Sequence, residues 1–495
     1  MKRIFFSFCL VLLCMVTQAI NQPKREFRGA WIQCVNGQYI GKTSAQIRSM
    51  LSKQLDVMQK AHINAIFFQV RAECDALYRS HYEPWSRFLT GTQGKAPEDG
   101  WDPLAWMIEQ CHSRGMECHA WINPYRAKTK FTTALSPKHI AVRHKERVFE
   151  YDGLYILNPA IEINRMYTCM VVEDILLNYD VDGIHMDDYF YPYPVKGLPI
   201  KDQVYFDRDG RGFHNITDWR RDNVNMLIHD LHRMIRQVKP WVKFGVSPFG
   251  IYRNSPTQRN CREGSATRGT QNYDDLYADV ALWQDKGWVD YLVPQIYWNI
   301  GTKVADYEVL CRWWNDYCHN RPLFVGQDVE RTMQGKDLQN SQANQTVAKY
   351  NLQRSLSHIQ GACQWYAASF VEGKVGYRDV LEKKYYTYPA LQPLMPFIDH
   401  KAPKKPRKII FNVDNGKVVL SWNAPKAKKE LDKAYSYVVY DFKDGEKINL
   451  DDPSKILTIT RNTFCVLPKD LINHTICVTA LDRVQNESKM VKIKL

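Results

Sequence analysis

Between residues 26 and 398, short apolar runs alternate with longer amphipathic segments eight times. A parallel strand covered by helices is buried on both faces and reads as a continuous apolar run. Each covering helix is apolar along one stripe only. The runs fall at 28–34, 65–71, 117–123, 183–189, 243–249, 291–298, 323–328 and 362–370. Eight strands with intervening helices specify an α/β fold of the (β/α)8, or TIM-barrel, type. In such barrels the groups that act on a ligand project from the carboxyl ends of the strands, and the amino ends serve stability.

The amphipathic segments carry helix punctuation. Asp102 then Pro103 is an N-cap with proline at the first helical position; Leu104, Met107, Ile108 and Cys111 share a face, and Gly115 stops the helix. Ile47, Met50, Leu51, Leu55 and Met58 repeat the pattern after the first run. A longer helix has Thr217 as its expected cap, Val224 to Val238 at 3.6-residue spacing and Pro240 as its stop. Residues 399–408, basic and proline-containing, read as a linker. From 409 to 495 only strand-like runs remain, at 417–422, 435–442, 455–460, 463–467, 475–481 and 489–494. Short strands at that spacing indicate a small all-β sandwich. The WNAP, YVVYDF and HTICVTALDRVQNES stretches resemble a fibronectin type III module, expected here as a stabilising spacer.

Residues 1–19 read as a secretory signal peptide, with Lys2 and Arg3, an apolar core over 4–16 and Thr17-Gln18-Ala19 at the cleavage site. The expected location is therefore the periplasm or cell envelope. Lipid anchoring through Cys14 is less favoured, because Leu13 suits a lipoprotein cleavage site poorly. No later stretch reaches the roughly 18 apolar residues of a membrane span. Cleavage removes Lys2 and Arg3 and takes the formal charge from +14 to +12. The excess is spread along the chain apart from 401–408, and no nucleic-acid motif accompanies it. It supports at most a preference for an anionic glycan or envelope surface. Loss of Cys9 and Cys14 leaves 11 of 13 cysteines, an odd number without C-x-x-C pairs. That argues against a disulfide framework and a zinc site; Cys465 and Cys477 would be the pair if one formed.

Polar residues gather at the predicted strand ends. The second ends at Arg71, with Glu73 and Asp75 just beyond; the third runs through Trp121 and Asn123 into Tyr125 and Arg126. The fourth presents His185, Asp187 and Asp188 ahead of an aromatic loop, Tyr189, Phe190, Tyr191 and Tyr193. The sixth carries Gln295, Tyr297 and Trp298, the seventh ends at Asp328, and the eighth holds Trp365. An adjacent Asp pair alone is more often a helix cap or a turn. Charged and amide groups on most of the strand ends, however, need a solvated or ligand-filled site to satisfy them. Side chains alternate along a strand, so His185 and Asp187 share a face and Asp188 takes the other or turns into the loop. Asp187 is the first choice for a catalytic carboxylate, as nucleophile or general base, and Asp188 the second. An aromatic content of 13% suits ring faces stacked on sugars.

The stretches EFRGAW, FQVRAECDALYRSHYEPWS, HAWINPYRA, DGIHMDDYFYPYP, VSPFGIYRN and YLVPQIYW, in that order, resemble the glycosyl hydrolase-like 10 family across nearly all of 26–398. Members are bacterial envelope proteins, and a divisome-associated relative acts on peptidoglycan glycan strands. The resemblance implies an exported glycoside hydrolase with a polysaccharide substrate, peptidoglycan glycan strands among the candidates. Where that pattern has Arg-Pro-x-x-Asp after strand two, this chain reads Arg71-Ala72-Glu73-Cys74-Asp75 and keeps the first and last residues. The form Asp-Gly-x-basic-x-Asp is also similar to strand four of retaining glycosidase clans, whose last Asp is the nucleophile.

Glycoside hydrolysis requires a second carboxyl group, about 5–5.5 Å from a nucleophile or 6.5–9.5 Å from a general base. Glu73, Asp75, Glu263 and Asp328 can each be placed near the mouth, and Asp328 is preferred because it ends a strand. Arg71, Asp75, Asn123, Tyr125, Arg126, His185 and Gln295 are expected to meet sugar hydroxyls or a carboxylate. Trp121, Tyr189, Tyr297, Trp298 and Trp365 would stack. No cofactor is called for. Two other classes stay open. One is a non-catalytic glycan-binding barrel, which would bind without turnover. The other is a metal-dependent hydrolase using Asp187, Asp188 and His185, which a chelator would silence; no H-x-H or H-E-x-x-H spacing supports it.

Overall fold

A computed structural model describes residues 22–495 apart from 133, 374, 375, 415, 416 and 472. The expected signal peptide lies outside the described residues. Eight parallel strands close into a barrel: β1 (Phe27–Ile32), β2 (Ala65–Arg71), β3 (Glu117–Ile122), β4 (Gly183–Met186), β5 (Lys243–Val246), β6 (Tyr291–Leu292), β7 (Leu323–Asp328) and β8 (Ile359–Trp365). Each pairs with the next, and β8 returns to β1 with Phe27 opposite Gly361. The (β/α)8 architecture read from the alternation is the one observed.

Several strands differ from their apolar runs for local reasons. Pro248 and Pro294 carry no N–H for a ladder, so β5 and β6 stop before them, leaving only single bridges from Phe249 to Gln295 and from Gln295 to Gly326. The last run straddles two elements. β8 begins at Ile359, and Ala367–Glu372 is already a helix whose Ala367 and Phe370 are buried. A run of apolar residues reports burial and not the kind of element that is buried. The long helix Ile216–Val238 is capped by Asn215, whose side chain accepts from the Asp218 N–H; Thr217 instead hydrogen-bonds to that same Asn215 oxygen. The helix at 103–113 is capped by Asp102 with Pro103 at its start, as the sequence indicates.

Aromatic rings fill the barrel lumen. Phe27 stacks on Phe324 at 4.0 Å and Phe67 on His185 at 3.9 Å. Glycines on neighbouring strands make the room: a Cβ on Gly183 would lie 2.1 Å from the His119 ring, and one on Gly245 would lie 2.1 Å from Tyr291. The lumen also carries a directed hydrogen-bond chain. Trp31 Nε1 donates to His185 Nε2 (3.2 Å), which makes that nitrogen an acceptor and leaves Nδ1–H for Tyr291 Oη (3.2 Å). Tyr291 then donates to His119 Nδ1 (3.0 Å), and His119 Nε2 to Glu117 (3.0 Å), which is ion-paired with Lys243.

The C-terminal part contains β9 (Arg407–Asp414), β10 (Lys417–Asn423), β11 (Ser436–Phe442), β12 (Ile456–Thr460), β13 (Phe464–Leu467), β14 (Thr475–Leu481) and β15 (Val491–Lys494). They form antiparallel sheets of order β9-β10-β13 and β12-β11-β14-β15. The linker read over 399–408 overlaps this domain, because Arg407 and Lys408 are already in β9. The sandwich is seated on the amino-terminal face of the barrel. Val484 joins Phe27, Phe67, Tyr291 and Phe324 in one buried cluster, and Tyr435 Oη donates to Asp182 at 2.5 Å. All eleven described cysteines are free. Cys465 and Cys477 cannot meet as they stand, since one packs in the cluster between the sheets and the other in the cluster against the barrel.

Candidate active site

β4 places His185 in the lumen while Ile184 and Met186 face the helix layer. The same alternation brings Asp187 to the carboxyl-terminal mouth. Its Oδ2 accepts from Trp121 Nε1 (3.1 Å) and, by a short contact, from Asn123 Nδ2. Asn123 is oriented in turn by Gln69, whose amide donates to it (2.9 Å) while its oxygen accepts from the Cys34 N–H (3.0 Å). Burial, reinforced by Asp188 and opposed by Arg126, pushes the Asp187 carboxyl up to about 7. Both side-chain donors occupy Oδ2, while Oδ1 meets the Tyr189 N–H at 3.4 Å, so a proton on this group resides on Oδ1.

Asp188 turns the other way. One oxygen accepts from Gln295 Nε2 (3.0 Å) and the other, closely, from Tyr193 Oη. Burial raises its carboxyl too, against those two donors. Rings extend from both acids. Tyr193 meets Tyr189 at 5.6 Å and Phe249 at 6.0 Å, and Phe249 meets Trp298 at 5.5 Å. On the Asp187 side, Trp121 and Tyr297 both contact Trp365, at 6.2 and 6.1 Å. The Arg126 guanidinium lies 4.6 Å from the Tyr189 ring. An adjoining cavity of about 670 Å³ is lined by Arg126, Tyr189 and Tyr193 and by loops that follow β1 to β4. One wall is a small antiparallel sheet, Arg126–Lys128, Val148–Tyr151 and Leu154–Leu157, and Phe131 stands 86% exposed at the rim.

The structure therefore gathers Asp187, Asp188, Trp121, Asn123, Arg126, Tyr189, Gln295, Tyr297, Trp298 and Trp365 around the mouth. Other expected members are engaged elsewhere. Arg71 is fully buried, forks onto Glu83 (2.7–3.0 Å) and holds the Asn123 and Pro124 carbonyls, so its donors are taken. Asp75 is also fully buried, accepting from the Glu73 N–H and Gln93, and burial beside Glu73 pushes it to about 6. Glu73 pairs with Arg87 at 3.0 Å. Tyr125 is enclosed between β3 and the helix layer. His185 lies below the acids in the lumen stack, where burial and His119 keep it well below the usual imidazole range and hence neutral. Asp328 caps the helix Val329–Gln334, accepting from the Arg331 N–H at 2.9 Å, and Glu263 is an exposed loop charge. Of these seven, Glu263 stands in an exposed loop, and the other six are buried or bonded within the protein. Conversely, Gln69 orients Asn123 from the neighbouring strand, and nothing local in the sequence marks it for that role. Among the described residues no group of three or more His, Cys, Asp or Glu is arranged to hold a metal ion.

Comparisons with known proteins point to one family. The family model described as "Glycosyl hydrolase-like 10" matches residues 26–342. The chain is 38% identical over 485 residues to "Glycosyl hydrolase YngK" of Bacillus subtilis, covering 95% of this chain and 93% of that one. It is 35% identical over 322 residues to "Glycosyl hydrolase DigH" of Escherichia coli K12, covering 61% and 71%. Among solved structures, the PgaB (BpsB) glycoside hydrolase domain from Bordetella bronchiseptica superposes with a TM-score of 0.47 at 12% identity, over 73% of this chain and 99% of that one. The catalytic domain of a β-amylase from Paenibacillus polymyxa gives 0.47 at 10% identity, over 74% and 99%. The chain belongs to the glycosyl hydrolase-like 10 family.

Proposed function

We propose that the protein is an exported glycoside hydrolase that cleaves O-glycosidic bonds of a polysaccharide, with peptidoglycan glycan strands as the first candidate. The observation that carries this reading is the pair Asp187 and Asp188, held at the mouth of the barrel in unlike surroundings and flanked by rings. Two carboxyls whose environments separate their proton affinities divide the labour of acid and base. The environments favour a division opposite to the one suggested by sequence. Asp187, at about 7, retains a proton on Oδ1 and gives it to the leaving oxygen. Asp188, with a side-chain donor on each oxygen, is the ionised partner, as base or as nucleophile. Arg126 and Gln295 would contact sugar substituents, and Tyr189, Tyr297, Trp298 and Trp365 would stack on ring faces. Residues 409–495 are read as a fibronectin type III-like module.

The test is incubation of the purified protein with peptidoglycan and a panel of other glycans, with products weighed by mass spectrometry. Release of fragments by the wild type and not by Asp187→Asn supports the reading. Binding without release by the wild type would make the barrel a glycan-binding protein instead.

A further inference from the structure

The two outer faces of the C-terminal sandwich have different fates. On the four-stranded sheet, Val438, Tyr440 and Cys477 face outward and pack with Leu391 beneath the barrel. The three-stranded sheet lies on the far side of the sandwich from that contact. In its register Ile410 is opposite Ser421, Ser421 is opposite Phe464, and Val419 is opposite Val466, so these side chains share one face. Leu420 and Trp422 point the other way, into the core between the sheets. Among the described residues nothing covers the outer face: Ile410, Phe464 and Val466 are 53%, 51% and 57% exposed. A contiguous apolar cluster left open on a surface marks a place of interaction.

Charge selects what the face meets. Residues 401–433 contain ten lysines and arginines and three acids, Asp414, Glu430 and Asp432, the last paired with Lys401. Lys417 shares the face of Val419 with Asp414 opposite it in the register, and Arg407 stands at the other end, opposite Asn423. The cluster is too small for a stable dimer, in which each partner buries on the order of 800 Å². Its polar side chains, Ser421 and Asn412, lie on an open sheet face and not in the concavity by which a pocket recognises sugar hydroxyls. An apolar centre within a basic field matches the headgroup boundary of an anionic bilayer, where apolar side chains enter and each nearby lysine adds attraction. We propose that the outer face of the β9-β10-β13 sheet docks on an anionic lipid surface. Because the sandwich sits under the amino-terminal face of the barrel, docking would turn the catalytic mouth away from the membrane.

The test is co-sedimentation of the chain from residue 20 onward, without the apolar leader, with vesicles of phosphatidylcholine alone or of equimolar phosphatidylcholine and phosphatidylglycerol. Binding is expected to the mixed vesicles only, and to weaken with added salt. The triple variant Ile410→Ser, Phe464→Ser, Val466→Ser should lower binding at least about tenfold with an unchanged melting temperature, since it removes exposed apolar area. The charge variant Lys404→Glu, Lys405→Glu, Lys408→Glu should do the same while leaving the apolar cluster in place. No binding by the wild type, equal binding to both vesicles, or full binding by the triple variant overturns the proposal. So does a wild type that sediments as a dimer and a triple variant that sediments as a monomer, which would make the face a contact between copies.

Discussion

Strand β4 has an aspartate at each end, and the two are treated in opposite ways. At the floor, Asp182 accepts from the Cys118 N–H (2.8 Å) and Tyr435 Oη (2.5 Å) and pairs with His112 at 2.7 Å. Burial opposes its ionisation, yet His112, Arg461 and Tyr435 together hold the carboxyl well below the usual range. At the mouth, Asp187 has only neutral donors on its oxygens and a second carboxyl as neighbour, and even with Arg126 nearby it is pushed up to about 7. The two residues are 6% and 4% exposed, so burial does not separate them. What separates them is the charge of their surroundings. The floor is electrostatically closed and fastens the sandwich; the mouth is left a charge short, as a site awaiting a ligand is.

The contrast breaks most sharply on Asp187→Asn. The rate constant kcat should fall on the order of 10³-fold or more, because an amide cannot supply the proton. Stability should behave differently. A folded pKa raised above the unfolded value contributes stability that is full below about 4 and is lost as pH rises through about 7. Above pH 7 the variant, which carries no charge to bury, should therefore melt no lower than the wild type. Turnover within about tenfold of the wild type would remove Asp187 from the mechanism.

Asp182→Ala should show the converse. Removing one member of a buried ion pair costs about 3–5 kcal/mol and leaves His112 and Tyr435 without their acceptor. The wild-type contribution of a depressed carboxyl is full above its unfolded value of about 3.9 and is lost progressively as pH falls from there toward the much lower folded value. The gap between variant and wild-type melts should therefore stay constant from pH 7 to about 4 and begin to narrow only below that. If the variant lost activity per folded molecule as heavily as Asp187→Asn, the division between floor and mouth would be false.

A gentler probe is the pH dependence of kcat/KM. With Asp187 as acid, kcat/KM should decline as pH rises through about 7. A profile that climbs through 7 would return Asp187 to the role of base or nucleophile.

The same contrast explains how far the sequence could be read. Order and number of barrel strands were legible because burial on both faces leaves an apolar run whatever the partners are. The Asp187 and Asp188 pair stood out because acids and rings crowd one strand end. Arg71 and His185 misled because a polar residue at a strand end looks alike whether it faces a ligand or a buried partner. Glu83, the partner of Arg71, lies in an aperiodic stretch, and the rings around His185 come from β2 and β6. The seating of the sandwich was illegible for a related reason. Val484 and Tyr435 are ordinary residues of a small β domain until the barrel floor meets them.

The smallest effect, and the finest test of the two-carboxyl division, is Tyr193→Phe. The ring remains to pack on Tyr189 and Phe249, and only the hydroxyl that donates to Asp188 is lost. That donor is the first of several influences, with Gln295, a backbone N–H and Arg126, that lower the Asp188 carboxyl against burial. Without it the pKa of Asp188 rises further. If Asp188 acts ionised, the acidic limb of the kcat/KM profile must move to higher pH. A hydrogen bond to a charged group is worth about 1.5–3 kcal/mol, or roughly one to two pH units at most, less whatever water replaces. The limb set by Asp187, near pH 7, should stay where it is, because Trp121 and Asn123 are untouched. A shift of the acidic limb alone supports separate roles for the two aspartates. Movement of both limbs together would mean that the pair titrates as one unit.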